Sequence, residues 1–317
     1  MSGSVVALDV GGTAMKGALV DRYGALLHVE SRPTGRERGV DAVTEAIVEF
    51  AGALADKSSA SVAAAGVVVP GLVDDARGIA RYAANLGWHD LPLADLVSQR
   101  IGRPVALSHD VRTGGLAEGL VGAARGCDDF LFLPIGTGIA GAIVLNGKPY
   151  AGAHAYGGEL GHAPVVPHGE PCACGQRGCL ETYASAAAIP RRYMASGGEK
   201  VSGAEEVLAR AEAGDALAKA AWDQAIDALA TSLASFSQVL DPALIVIGGG
   251  LAEAGAKLMD PLRTELASRL AFRPPPPLVL AALGSQAGCL GAAILAWRAA
   301  GEATAGADWT PYEGDAA

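Results

Sequence analysis

One pattern occurs twice in this chain, and it constrains the possible folds more than any other feature. "VVALDVGGTAMKGALVD" passes from an apolar strand through a Gly-Gly-Thr turn into a second apolar strand, the signature of a β-hairpin with a polar tip. "FLFLPIGTGIAGAIVLNGK" repeats the pattern at an offset of 124 residues, so that Gly12, Thr13, Gly17, Leu19 and Val20 correspond to Gly136, Thr137, Gly141, Ile143 and Val144. A recurrence this distant predicts two related halves, each with a glycine turn at the mouth of its sheet. The length of 317 residues points the same way, because it exceeds what one compact core usually holds.

The rest of the chain reads as alternating strands and helices. Val40, Val43, Ile47, Phe50 and Leu54 recur at helical spacing and predict an amphipathic helix. "VAAAGVVVPGLVDD" predicts a strand ending at a Pro70-Gly71 turn, and "PVALSHDVRTGGLAEGLVGAA" a strand that ends near Asp110 and passes into a helix. Beyond the second hairpin the chain is expected to be mostly helical to Leu240. "PALIVIGGGLAEAG" then predicts strand, glycine turn and helix, and the tail after Ala300 is expected to be poorly ordered. Pro274 to Trp297 carries no charge and is long enough to span a bilayer, yet Gly284, Ser285, Gln286 and Gly288 interrupt it. It reads as a short strand, a polar loop and the start of a buried helix.

Charge and cysteine usage narrow the function. The formal net charge is -10 with no basic cluster, which argues against sequence-independent nucleic-acid binding. The first residues lack the basic region of a signal peptide, so a cytoplasmic protein is expected. Of five cysteines, Cys172, Cys174 and Cys179 crowd into "GELGHAPVVPHGEPCACGQRGCLE", a clustering that favours metal over disulfides. With His162 they supply one nitrogen and three sulfurs, a closed tetrahedral zinc set and therefore a structural metal. Cys127 and Cys289 stand alone and read as buried, inert thiols. Glu159 and Glu181 bracket the knot without being needed as ligands; ionised carboxylates are acceptors suited to sugar hydroxyls.

Three glycine turns follow apolar strands. Gly11, Gly12 and Thr13 can turn backbone amides and a hydroxyl toward an anion, with Lys16 in reach of a phosphate. Gly136, Thr137 and Gly138 offer a second cradle, and Gly248, Gly249 and Gly250 a close approach for a nucleoside. The Walker A spacing is missing, so this is a different nucleotide-binding design.

"LDVGGTAMKGALVD", "VVVPGLVD", "ANLGW", "SHDV", "IGTGIAGAIV", "GELGH" and "CACGQRGCLE" together resemble the ROK family of sugar kinases and sugar-responsive repressors, from about Val5 to Leu295. Within that family the chain is most similar to bacterial ATP-dependent glucokinases. The resemblance implies an α/β, two-domain actin-like, hexokinase-type ATPase fold around a cleft. The expected division is a small domain over 1–109, joined by the C-terminal helix within 287–317, and a large domain over 110–286 that carries the zinc loop. The resemblance assigns Glu159 and Glu181 to hexose hydroxyls and lets His162 touch the sugar through the nitrogen not bound to zinc. It adds Asn85 and the backbone of Gly71 as further sugar contacts. Asp110, at a strand end where site residues of α/β sheets gather, is the expected general base. It would take the proton of the attacking hydroxyl while Mg2+ and backbone amides hold the triphosphate. Two positions depart from the family pattern: His109 stands where Asn is frequent, which puts the neighbouring sugar contact in question, and Ala140 replaces the last glycine of the second turn.

The expected activity is transfer of a phosphoryl group from ATP to glucose, by an oligomer of identical chains. A kinase for fructose, mannose or N-acetylmannosamine is the alternative within the class. A sugar-responsive repressor is the alternative outside it; such proteins carry an N-terminal helix-turn-helix, for which there is no room before the strand at Val5, and the retained Asp110 and Gly-Gly-Thr turn also favour catalysis.

Overall fold

The computed structural model describes residues 3–312. Its elements begin with the strands β1 (Gly3–Val10), β2 (Ala14–Asp21) and β3 (Leu26–Pro33), then the helix α1 (Val40–Lys57). Next come β4 (Ser61–Val69), β5 (Leu72–Asp74), β6 (Ile79–Ala83), β7 (Trp88–Leu91), α2 (Leu93–Ile101), β8 (Val105–His109) and α3 (Asp110–Val121). The middle of the chain holds β9 (Phe130–Pro134), β10 (Ala142–Leu145), the two-residue β11 (Lys148–Pro149), α4 (Glu181–Ala184), α5 (Ala188–Ala195), α6 (Ala204–Glu212) and α7 (Ala216–Leu240). It closes with β12 (Leu244–Gly248), α8 (Ala256–Arg269), β13 (Leu278–Leu280) and α9 (Ala287–Ala299).

These elements form two compact units. The first runs to Gly126 and adds Gly147–Gly157 and the chain from Ala282 onward; the second comprises Cys127–Asn146 and Gly158–Ala281. In the first, β1 and β2 form the expected hairpin, with Val10 opposite Met15, and the sheet order is β3-β2-β1-β4-β8, with β4 parallel to β1 and β8 parallel to β4. In the second, β9 and β10 form the matching hairpin, β12 runs parallel to β9, and β13 parallel to β12. The order β10-β9-β12-β13 thus reproduces β2-β1-β4-β8, so the repeat read from glycine and apolar positions extends to the topology.

The first sheet is covered on both faces, which is why its inner strands β1 and β4 are near-continuous apolar runs, whereas β3 at the edge alternates. Val6, Leu8 and Val10 of β1 meet Ile47, Phe50 and Leu54 of α1, while Val5 and Ala7 meet Ile294 and Trp297 of α9. Phe50, Ile47 and Leu54 are fully buried, each contributing roughly 1.5–3 kcal/mol. Helix α9 lies so close to β4 that a Cβ on Gly66 would fall 1.9 Å from the carbonyl oxygen of Ala292. Small residues in "VAAAG" and "GAAIL" permit this approach.

Three expectations are corrected. The expected break after His109 lies instead after Gly126, because α3 packs on α9: a Cβ on Gly291 would sit 2.5 Å from the carbonyl oxygen of Thr113. The chain before Glu181 is loop and short 3-10 turn rather than helix. The tail is ordered as far as Tyr312: Trp309 is buried, its indole N–H donates to the Arg22 carbonyl at 2.9 Å, and the Tyr312 amide donates to the Val121 carbonyl at 2.9 Å. The tail beyond Tyr312 lies outside the described residues. Among the described residues, no helix is long and apolar enough to cross a membrane.

Candidate functional site

In the first unit the site starts at the β1–β2 turn. The Gly11 amide donates to the Ala14 carbonyl at 2.9 Å, and the buried Thr34 hydroxyl donates to the Gly11 carbonyl at 2.6 Å, so the turn is held from behind. Thr13 is exposed at its tip. Asn85 lies on the same turn, its Nδ2 3.0 Å from where a Cβ on Gly12 would be. Gly71 has φ 92°, and a Cβ there would meet the Tyr82 carbonyl at 2.2 Å, so only glycine serves. Lys16, expected within reach of a phosphate, donates from Nζ to the Ser285 carbonyl at 3.1 Å, just before α9.

Sequence reasoning passed over Asp9, the last polar residue before the Gly-Gly turn. Burial raises its carboxyl to about 7, with the negative charge of Asp110 adding and Lys16 opposing. Helix α9 abuts it: a Cβ on Gly288 would lie 2.1 Å from Asp9 Oδ2. A carboxylate at a strand end was a readable signal, the same one that singled out Asp110. The neighbouring Cys289 is buried and its thiol is pushed up to about 12, chiefly by burial, which fits an inert thiol. Cys127 is only half-buried.

Asp110 opens α3. Its Oδ1 accepts from the Val111 amide at 2.7 Å, and burial raises its carboxyl to about 6 against the lowering effects of that amide and of Arg112. About a quarter of the side chain remains accessible (26%), so contact with water tempers the burial effect. The departure at His109 has a structural role. Its Nδ1 accepts from the amides of Val111 and Arg112 at 3.2 and 3.3 Å, capping α3 as an Asn oxygen would. An Nδ1 that accepts cannot carry the proton, so this geometry belongs to the Nε2–H tautomer.

In the second unit the two glycine turns are stitched to one residue. The Ile135 amide donates to the Gly248 carbonyl at 2.8 Å, and the Leu251 amide to the Ile135 carbonyl at 3.0 Å, bringing Gly136–Gly138 and Gly248–Gly250 together. Glu181 at the start of α4 reaches the first of them. Its Oε2 accepts from the Ile139 amide at 2.8 Å, and a Cβ on Gly138 would lie 2.5 Å from that oxygen. One carboxylate oxygen therefore already has a backbone partner.

His162, Cys172, Cys174 and Cys179 bring their ligand atoms within 4.8 Å of one another. Cys172 Sγ lies 3.7 Å from His162 Nδ1, and Cys174 Sγ 3.7 Å from Cys179 Sγ. A tetrahedron with metal–sulfur bonds of ~2.3 Å has edges of about 3.8 Å, so the donor set fits a four-coordinate cation. The loop is folded for it by backbone bonds from Cys172 N to Gln176 O (2.8 Å) and from Gly175 N to Cys172 O (3.0 Å). With Nδ1 toward the sulfurs, His162 Nε2 faces Glu159, whose Oε2 is 4.0 Å away, too far for a direct hydrogen bond.

A repeated strand–turn–strand sheet, with glycine turns and carboxylates at its strand ends, defines the class: an actin-like ATPase fold of the hexokinase type. The chain belongs to the ROK family, whose model matches residues 5–299. It is 35% identical over 307 residues to a glucokinase of Thermotoga maritima, covering 92% of this chain and 96% of that one. Among solved structures it is similar to a ROK hexokinase of Thermus thermophilus (35% identity, TM-score 0.82, 93% of this chain and 98% of that one). It is also similar to a ROK glucokinase of Streptomyces griseus in complex with glucose and AMPPNP (29% identity, TM-score 0.79, 93% and 99%).

Proposed function

We propose that the chain is an ATP-dependent hexose kinase that phosphorylates the 6-hydroxyl of glucose. The carrying observation is Asp110: a carboxylate at the start of a helix, held by the Val111 amide, with a pKa of about 6. Such a group is ionised at neutral pH yet basic enough to take a hydroxyl proton as the oxygen attacks. The relatives named glucokinase, and the neighbour that holds glucose and AMPPNP, support this substrate pair.

In this reading the first unit supplies the base and an anion-binding turn, with Thr13 presenting its hydroxyl to phosphate. Lys16 acts indirectly, through Asp9 and the approach of α9. The Gly136–Gly138 turn presents amides to phosphate, and the Gly248–Gly250 turn lies against the nucleoside. Glu159, Glu181 and the Nε2 edge of His162 accept from or donate to sugar hydroxyls, with Asn85, His109 and the Gly71 backbone completing the contacts. Mg2+ carried with the nucleotide would neutralise charge on the transferring phosphoryl group. Zinc on His162, Cys172, Cys174 and Cys179 would fix the loop that carries Glu159 and Glu181.

A coupled kinase assay with Mg-ATP over a panel of hexoses tests the proposal. Glucose should give the highest kcat/KM, and Asp110→Asn should lower kcat by roughly 10²–10⁴-fold while retaining the fold. A higher kcat/KM for fructose, mannose or N-acetylmannosamine would move the substrate assignment, and an Asp110→Asn kcat within about threefold of the parent would remove Asp110 as base.

A further inference from the structure

Residues 108 and 112 flank Asp110 symmetrically, two positions before and two after, and one carboxylate holds both. Asp75, at the end of the β5 segment, accepts from the Ser108 hydroxyl on Oδ2 at 2.9 Å and from Arg112 Nη2 on Oδ1 at 3.1 Å. The guanidinium is buried (3% exposed), whereas Asp75 is half-exposed at 45%. The other arm of Arg112, Nη1, donates to the Ala155 carbonyl at 3.4 Å, in the loop that returns to the first unit after β11. A buried arginine is costly unless paired. Here the pairing closes a loop of side chains around the β8–α3 junction, where strand turns into helix and Asp110 projects.

We infer that Arg112, clamped by Asp75, is a positioning residue for the base: it fixes the β8–α3 junction and keeps the Asp110 carboxyl ionised in a buried setting. The inference rests on the reading of Asp110 as the base, and it adds the residues that set its proton affinity. The guanidinium opposes the rise that burial imposes on Asp110, as a nearby cation must. Asp75 works in the opposite sense, since its charge offsets part of that of Arg112. The other titratable or charged groups around Asp110 are His109 beside it, Asp9 at the end of β1 and Lys16 of β2, which faces Asp9.

The test reads the Asp110 carboxyl directly, by carbon-13 NMR titration of the ligand-free protein, with Asp110→Asn identifying the resonance. Arg112→Gln should raise its midpoint by about half a pH unit or more, a threefold or larger change in proton affinity, and Arg112→Lys should restore most of the shift. Asp75→Asn, which keeps a side-chain oxygen for the clamp while removing its charge, should lower the midpoint. The acid limb of the kcat/KM profile should move with each variant in the same direction as the NMR midpoint. Midpoints within about 0.2 unit of the parent in both Arg112→Gln and Asp75→Asn, or shifts of the same sign, would overturn the inference. If Arg112→Gln does not fold, the sign of the Asp75→Asn shift decides alone. Opposite NMR shifts in a protein whose hexose kinase activity survives Asp110→Asn would uphold the electrostatic clamp and sink the base assignment instead, so the two failures are distinguishable.

Discussion

In the proposed function, Glu181 serves two needs. Its Oε2 accepts from the Ile139 amide, which steadies the Gly136–Gly138 turn, and the remaining acceptor capacity is what a sugar hydroxyl would use. Glu181→Gln keeps an oxygen for the amide but replaces the other by an NH2 donor. The expected outcome is a raised KM for glucose with metal content unchanged, measured by steady-state kinetics beside elemental analysis. Unchanged glucose kinetics would mean that the carboxylate serves the turn alone. His109 carries a related lesson. The sequence shows a departure from the family's frequent Asn, and the structure shows that the imidazole retains the capping function, two amide donors on one Nδ1.

At the scale of elements, the loop between the 3-10 turn Leu160–His162 and α4 is short of regular structure, and its backbone bonds gather the four candidate metal donors. Cys174 is exposed, so Cys174→Ser removes a ligand at little packing cost. Because metal binding energy is folding energy in such knots, the variant should lose its zinc and melt at a lower temperature. A chelator should lower the melting temperature of the parent and leave that of Cys174→Ser unchanged; a variant that retains zinc and stability would dismiss the four-ligand assignment. Helix α3 has its own internal support in Glu118. Fully buried, its carboxylate accepts from the Ala123 amide at 2.8 Å and from the Ala282 and Leu283 amides at 3.2 and 3.0 Å. It thereby anchors the start of the returning C-terminal segment, which explains why α3 and α9 share a unit.

For the whole molecule, the two site carboxyls predict a pH dependence of stability. Asp9 and Asp110 hold protons in the folded chain up to about 7 and about 6, whereas an unfolded aspartate has its ordinary value of 3.8. Between roughly pH 4 and 7 the folded state binds more protons than the unfolded one, so stability falls as pH rises through that window. Asp9→Asn should therefore melt higher than the ligand-free parent at about pH 7.5, and the difference should shrink toward pH 4, where both forms are neutral. A gap that is the same at both pH values would show that the gain is not electrostatic. Such a gain would be the familiar exchange of stability for a working site.

Local order in the sequence was enough for much of the architecture. Apolar runs with glycine turns marked β1–β2 and β9–β10, and helical spacing marked α1; in α1 Val43, Ile47, Phe50 and Leu54 are buried as expected while Val40 is exposed. Cysteine spacing marked the cluster that the fold gathers within 4.8 Å, because four donors close together in sequence need little long-range information. These signals survive in one dimension since hydrogen bonding and burial impose periods of two and 3.6 residues on any strand or helix. What only the tertiary structure decided is the company each group keeps. Asp75 joins Ser108 to Arg112 across 33 and 37 residues, Glu118 meets Leu283 across 165, and Trp309 buries itself beside Arg22 across 287. No local pattern encodes such pairs: the chain closes those loops at an entropic cost that many dispersed contacts jointly offset, so the partners of Asp110, and the order of the C-terminal tail, follow from the packed whole.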